Sequence, residues 1–245
     1  RKTLIIDFDP QGNASSGLGI NVSENPEQTV YQALVGANTL ESVIRSTELP
    51  DLYIAPSDRN LSGAEVELVG AIAREHKLKS IIESVRDKFH YILIDCPPSL
   101  GLLTINALTA ADSYLVPMQC EYFSLEGLSQ LLATTQLIQQ HLNAKLYQEG
   151  ILLTMFDARN GLTHQVAAEV RKHFGDKVLK TVIPRNVRLS EAPSHGKPIL
   201  LYDIESKGAL SYLSVAKELI ENQMARTRAV SVAPSIQTAQ AQASL

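Results

Sequence analysis

Short apolar runs alternate along this chain with longer segments of helical period, and that alternation restricts it to a sheet of parallel strands crossed by helices. The runs at 2–7, 52–55, 91–95, 113–117 and 150–154 have strand length and composition, and a sixth is expected at 178–183. Between them apolar residues recur every three or four positions at 63–69, 73–88, 104–110, 124–142, 163–174 and 210–223. That is the spacing of helices packed on a sheet. A crossover helix between successive strands makes the strands parallel. The expected fold is therefore α/β, a doubly wound and mostly parallel sheet flanked by helices, in a single domain over 1–224. From 225 to 245 the residues are mostly Ala, Gln, Ser, Thr and Val with one Pro and two Arg, and a disordered tail is expected there.

A hydrophobic share of 44% in 245 residues suffices for a core that needs neither disulfide nor structural metal. Cys96 and Cys120 stand 24 positions apart with no Cys or His companion at ligand spacing, which argues against zinc and fits a reduced, cytoplasmic setting. The uncharged stretch 96–111 contains Pro97, Pro98, Gly101 and Asn106, so no membrane span is expected from it. The formal net charge of -4 is unevenly spread: residues 157–197 hold eight Lys/Arg against four Asp/Glu, and the remainder fourteen against twenty-two. The net charge alone argues weakly against a nucleic-acid partner, but its distribution leaves a basic segment on an acidic body.

Two strand ends carry the chemistry. The first run closes on Asp7-Phe8-Asp9-Pro10-Gln11-Gly12, two carboxylates at the carboxyl end of a parallel strand, the edge along which open α/β sheets bind ligands. Strand alternation would set Asp7 and Asp9 on one side, both facing one ligand, with Pro10 and Gly12 shaping the turn. An Asp-Pro turn that merely ends a strand reads the same way, and receiver domains and aspartyl phosphotransferases also gather aspartates at strand ends. The third run, Tyr91-Ile92-Leu93-Ile94, ends on Asp95 before Cys96-Pro97-Pro98-Ser99, the shape of a strand whose terminal carboxylate supports Mg²⁺ beside nucleotide phosphates. A turn or helix-capping aspartate is the plainer reading of Asp95 alone.

Four segments together are far more specific. DFDPQGNASSGLG at 7–19, DCPPSLGLLTINAL at 95–108, PMQCEYFSLEGL at 117–128 and VIPRNVRLSEAPSHGKP at 182–198 resemble, in this order, the ParA/Soj family of chromosome and plasmid partition ATPases, P-loop enzymes of the deviant Walker class. The resemblance spans residues 1 to about 223. It implies a P-loop NTPase fold like that of MinD and ParA, hydrolysis of ATP with Mg²⁺, and the following roles. Asp9 would position the attacking water, with Asp7 and Gln11 beside it. Asp95 would hold Mg²⁺ through water. Gly12 would let backbone approach phosphate or a partner subunit. Pro184, Arg185 and Asn186 would contact the adenine, although a loop Asn satisfied by its own backbone is an equal reading of Asn186. Arg159, Arg188 and Lys197, with Lys172 and Lys180 behind them, would bind DNA without sequence preference.

The resemblance further implies an ATP-dependent homodimer, a ParB-type centromere-binding partner that accelerates hydrolysis, no membrane partner, and residence in the cytoplasm on the nucleoid. Two alternatives remain open: a MinD-like membrane cycler, for which the segment after Met224 offers no basic amphipathic helix, and a nucleotide-independent interaction module. The second arises because no Gly-x-x-x-x-Gly-Lys-Ser/Thr loop occurs in these residues and the sequence opens inside the apolar run Thr3-Leu4-Ile5-Ile6. The expectation is that the chain begins mid-fold, lacks the first strand and phosphate loop of such an ATPase, and is inactive and unstable on its own.

Overall fold

Leu4 and Ile6 are fully buried in the central strand β1 (Thr3–Asp7), as is Phe8 just after it, in a computed structural model that describes residues 1–121 and 124–232. Three short helices follow, α1 (Asn13–Gly17), α2 (Val30–Leu34) and α3 (Leu40–Val43), then β2 (Arg45–Ser46) and β3 (Leu52–Ala55). Helices α4 (Leu61–Glu67) and α5 (Lys77–Glu83) lead to β4 (Tyr91–Asp95), α6 (Leu102–Ala110) to β5 (Ser113–Gln119), and α7 (Ser124–His141) to β6 (Tyr147–Thr154). Helices α8 (Gly161–Phe174), α9 (Val187–Glu191), α10 (Ile199–Tyr202) and the long α11 (Lys207–Val232) complete the described residues.

The strands lie in the order β2-β3-β1-β4 in one sheet and β5-β6 in a second, parallel except for the antiparallel edge strand β2. The parallel α/β architecture expected from the alternation is therefore present. Among the described residues the outer edge of β4 and the free edge of β5 pair with no strand, and Leu93 in the middle of β4 is 54% exposed. Helix α6 sits at the junction. Its Leu103 and Ala107 join the core of the first sheet, and Leu108 packs with Ile138 and Leu146 beside the second.

Three expectations are corrected. The strand at 178–183 is reduced to isolated bridges, Ile151 to Val178 and Phe156 to Pro184. Its Leu179 and Ile183 amides still donate to the β6 carbonyls of Ile151 and Leu153, at 2.9 and 2.8 Å, but those of Lys180 and Thr181 turn away to the Glu218 carboxylate of α11, at 2.7 and 3.0 Å. The helix expected over 73–88 breaks into a 3-10 turn at Arg74–His76, α5, and a second 3-10 turn at Arg86–Lys88. Buried Asn106 accounts for the break, since its Oδ1 accepts from the Leu78 amide at 3.1 Å and its Nδ2 donates to the Arg74 carbonyl at 2.9 Å, starting a new helix there. Ala73 takes a left-handed φ of 53° just before it. Finally, α11 runs to Val232, past the point at which a disordered tail was expected to begin, because Arg226 is anchored on β6. The rest of that tail, 233–245, lies outside the described residues.

Candidate functional site

Strands β1 and β4 run in register, so that Asp7 stands opposite Asp95 at the carboxyl edge of the sheet. The Phe8 amide donates to the Asp95 carbonyl at 2.8 Å and carries the pairing one step past the strand. The chain then turns. Asp9 Oδ1 accepts the Gln11 amide at 2.9 Å, and the Gly12 amide closes onto the Asp9 carbonyl at 2.9 Å. Gly12 itself has φ 64° and caps α1, and a Cβ there would lie 3.1 Å from the Ser57 carbonyl oxygen. Glycine is required twice over, by conformation and by space.

The alternation argument set Asp7 beside Asp9 on one ligand, and here the structure differs. Asp7 is fully buried. Its Oδ2 accepts from both the amide and the hydroxyl of Ser15, at 2.8 and 2.6 Å, and Ser15 Oγ in turn accepts the Ser57 amide at 3.1 Å. Asp7 thus ties β1, α1 and the loop after β3 into one knot and supports the turn that carries Asp9. Ser15 and Ser57 were missed in the sequence. The only trace of Ser15 there is its place in the small-residue run 13–17.

Burial, more than its serine bonds can offset, raises the Asp7 carboxyl above its ordinary value. Asp95 is pushed up to about 6, first by burial and then by the neighbouring charges of Asp7 and Asp9. The same surroundings push the Cys96 thiol to about 12 and keep it protonated. Three carboxylates converging on one sheet edge form a centre of unbalanced negative potential that a cation would relieve. Among the described residues, no group of three or more His, Cys, Asp or Glu is arranged so that it could hold a metal ion by itself. The donor set suits a hard cation that keeps most of its own water, as Mg²⁺ does.

The other expected residues lie apart from this edge. Pro184, Arg185 and Asn186 follow Ile183 beyond the end of β6, where the Arg185 amide donates to the Phe156 carbonyl at 3.0 Å. Asn186 Oδ1 caps α9 by accepting the Leu189 amide at 3.4 Å, the local role its sequence left open. Arg185 lines a cavity of about 160 Å³ with Asp157, Asn160, Thr163 and Met155, and Met155 has a left-handed φ of 52°. Arg159 projects from the loop before α8, Arg188 from α9, and Lys197 from the turn before α10, all exposed. Lys172 in α8 and Lys180 are exposed as well.

A family model described as an AAA domain matches residues 1–148. The chain is 58% identical over 222 residues to the sporulation initiation inhibitor protein Soj of Bacillus subtilis (strain 168), covering 91% of this chain and 87% of that protein. It is 54% identical over 221 residues to the chromosome partitioning protein ParA of Myxococcus xanthus (strain DK1622), covering 90% of this chain and 78% of that one. Among solved structures, the cobyrinic acid a,c-diamide synthase of Mycobacterium smegmatis with bound ADP and magnesium superposes with a TM-score of 0.79 at 32% identity, over 91% of this chain and 83% of that chain. With the aspartate-bearing sheet edge and four motifs in order, these likenesses make the chain a member of the Soj/ParA family of chromosome-partitioning proteins.

Proposed function

We propose that the protein works as a partition ATPase: with Mg²⁺ it binds ATP at the β1/β4 edge, dimerises, holds DNA without sequence preference, and releases it after hydrolysis stimulated by a ParB-type partner. The supporting observation is the in-register meeting of Asp7 and Asp95 with Asp9 on the turn above. A bound Mg²⁺ would supply charge stabilisation for phosphoryl transfer. Asp95 would hold that ion through water. Asp9, whose turn is fixed by the Gln11 and Gly12 amides, orients the attacking water. Asp7 keeps that turn in place, and Pro184, Arg185 and Asn186 border the base. The phosphate loop of such an enzyme is not among these 245 residues, and the open edge of β4 is the surface its strand would pair with. Arg159, Arg188 and Lys197 supply the DNA contacts, in the cytoplasm on the nucleoid.

The test is Asp9→Ala in the full-length protein. Because Asp9 acts on water and not on phosphate, turnover should fall by about a hundredfold or more while ATP affinity is kept. Turnover at the unsubstituted rate would reject the assignment.

A further inference from the structure

Both arginines expected to face DNA are already held by carboxylates. Arg159 grips Asp157 in a fork, Nε to Oδ1 and Nη2 to Oδ2, each at 3.1 Å. Asp157 Oδ1 also accepts the Arg159 amide at 3.0 Å, so the acid is fixed while the arginine side chain stays 89% exposed. Arg188 is held from two sides, Nη1 by Glu191 Oε2 at 3.0 Å and Nε by Asp203 Oδ2 at 3.3 Å. The Tyr202 hydroxyl donates to the same Glu191 oxygen at 3.2 Å and steadies it. The bonds from Arg159 hold the Asp157 carboxyl below the usual carboxylate range, so it remains charged at neutral pH.

Ion pairs this exposed add little to folding stability. Their effect falls instead on what else can occupy the guanidinium. A carboxylate and a phosphate ask for the same planar pair of N–H donors. A phosphate must either displace the acid or settle on another edge of the guanidinium, and in both cases an anion stays within a few ångströms of it. We propose that Asp157, Glu191 and Asp203 are internal competitors of DNA phosphate, which lower the affinity of Arg159 and Arg188 for the duplex so that the protein can let go of it. The proposal rests on the DNA contacts assigned above and deepens them. It gives the basic segment a set-point, since two of its four acids, Asp157 and Glu191, sit on the two arginines.

A unit charge about 5 Å from a bound phosphate in a water-like medium weakens binding roughly fourfold. Asp157→Asn keeps size and hydrogen-bonding shape and removes the charge; Asp203→Asn does so at the second arginine. The full-length protein with Mg²⁺ and ATP is titrated onto a random-sequence DNA duplex, followed by fluorescence anisotropy, alongside Arg159→Ala and Arg188→Ala. The expected result is binding tightened about fourfold by each asparagine and weakened by each alanine. If the alanines weaken binding and the asparagines leave it unchanged or weaken it too, the acids only position their arginines and the competitor role is overturned. If the alanines have no effect, the DNA contacts themselves lie elsewhere and both readings fall.

Discussion

Asp95 ends a strand whose neighbours make its charge costly. Its carboxyl titrates at about 6 in the folded chain against an ordinary 3.8, through burial and the charges of Asp7 and Asp9. Between those two values the native state holds the proton that the unfolded chain has released, so stability falls as pH rises through that window. In the cation-free protein, Asp95→Asn should flatten this slope and raise the melting temperature above pH 6, and matching pH profiles for the two proteins would exclude it. The acids themselves could be read from the sequence, because an apolar run ending in Asp signals a strand edge. Their division of labour could not. Whether Asp7 points at a ligand or into the protein depends on Ser15 folding back from α1, and one serine among small residues has no period to reveal that.

At the scale of elements, periodicity served where one hydrophobic contact face ran unbroken, as in α7 and α8. It failed where a side chain from elsewhere captured the backbone. Asn106 splits the segment 73–88, and Glu218 takes the Thr181 amide out of the ladder beside β6 while also accepting the outward Lys180 amide. Neither partner is near in sequence, and a window of a dozen residues contains neither. Glu218 thus replaces strand pairing with two charge-assisted bonds. Its replacement by alanine should cost about 1–2 kcal/mol in urea unfolding, chiefly through the part-buried Thr181 amide left without its acceptor, since the Lys180 amide is exposed to water. A loss under about 0.5 kcal/mol would mean that water replaces the carboxylate there.

Across the whole molecule, two sheets stand side by side with no described strand pairing between β4 and β5. They are joined by other means. Arg86 reaches from beyond α5 to both oxygens of Asp112 at 2.8 Å, and Gly19 and Gly196 meet so closely that a Cβ on Gly19 would lie 2.9 Å from the Gly196 carbonyl oxygen. Helix α11 bridges the two more fully. The Tyr91 hydroxyl at the start of β4 donates to Gln223 at 2.9 Å, and one turn on Arg226 bonds Glu149 of β6 while lying over the Tyr147 ring at 4.5 Å. One helix therefore holds the first residues of a strand from each sheet, and this makes a statement about opening rather than about shape. If α11 is the shared clasp, the sheets cannot come apart in turn, and deuterium should enter the amides of β4 and β6 in a single event of equal free energy. Arg226→Ala should then separate that event into two, with β6 exchanging first.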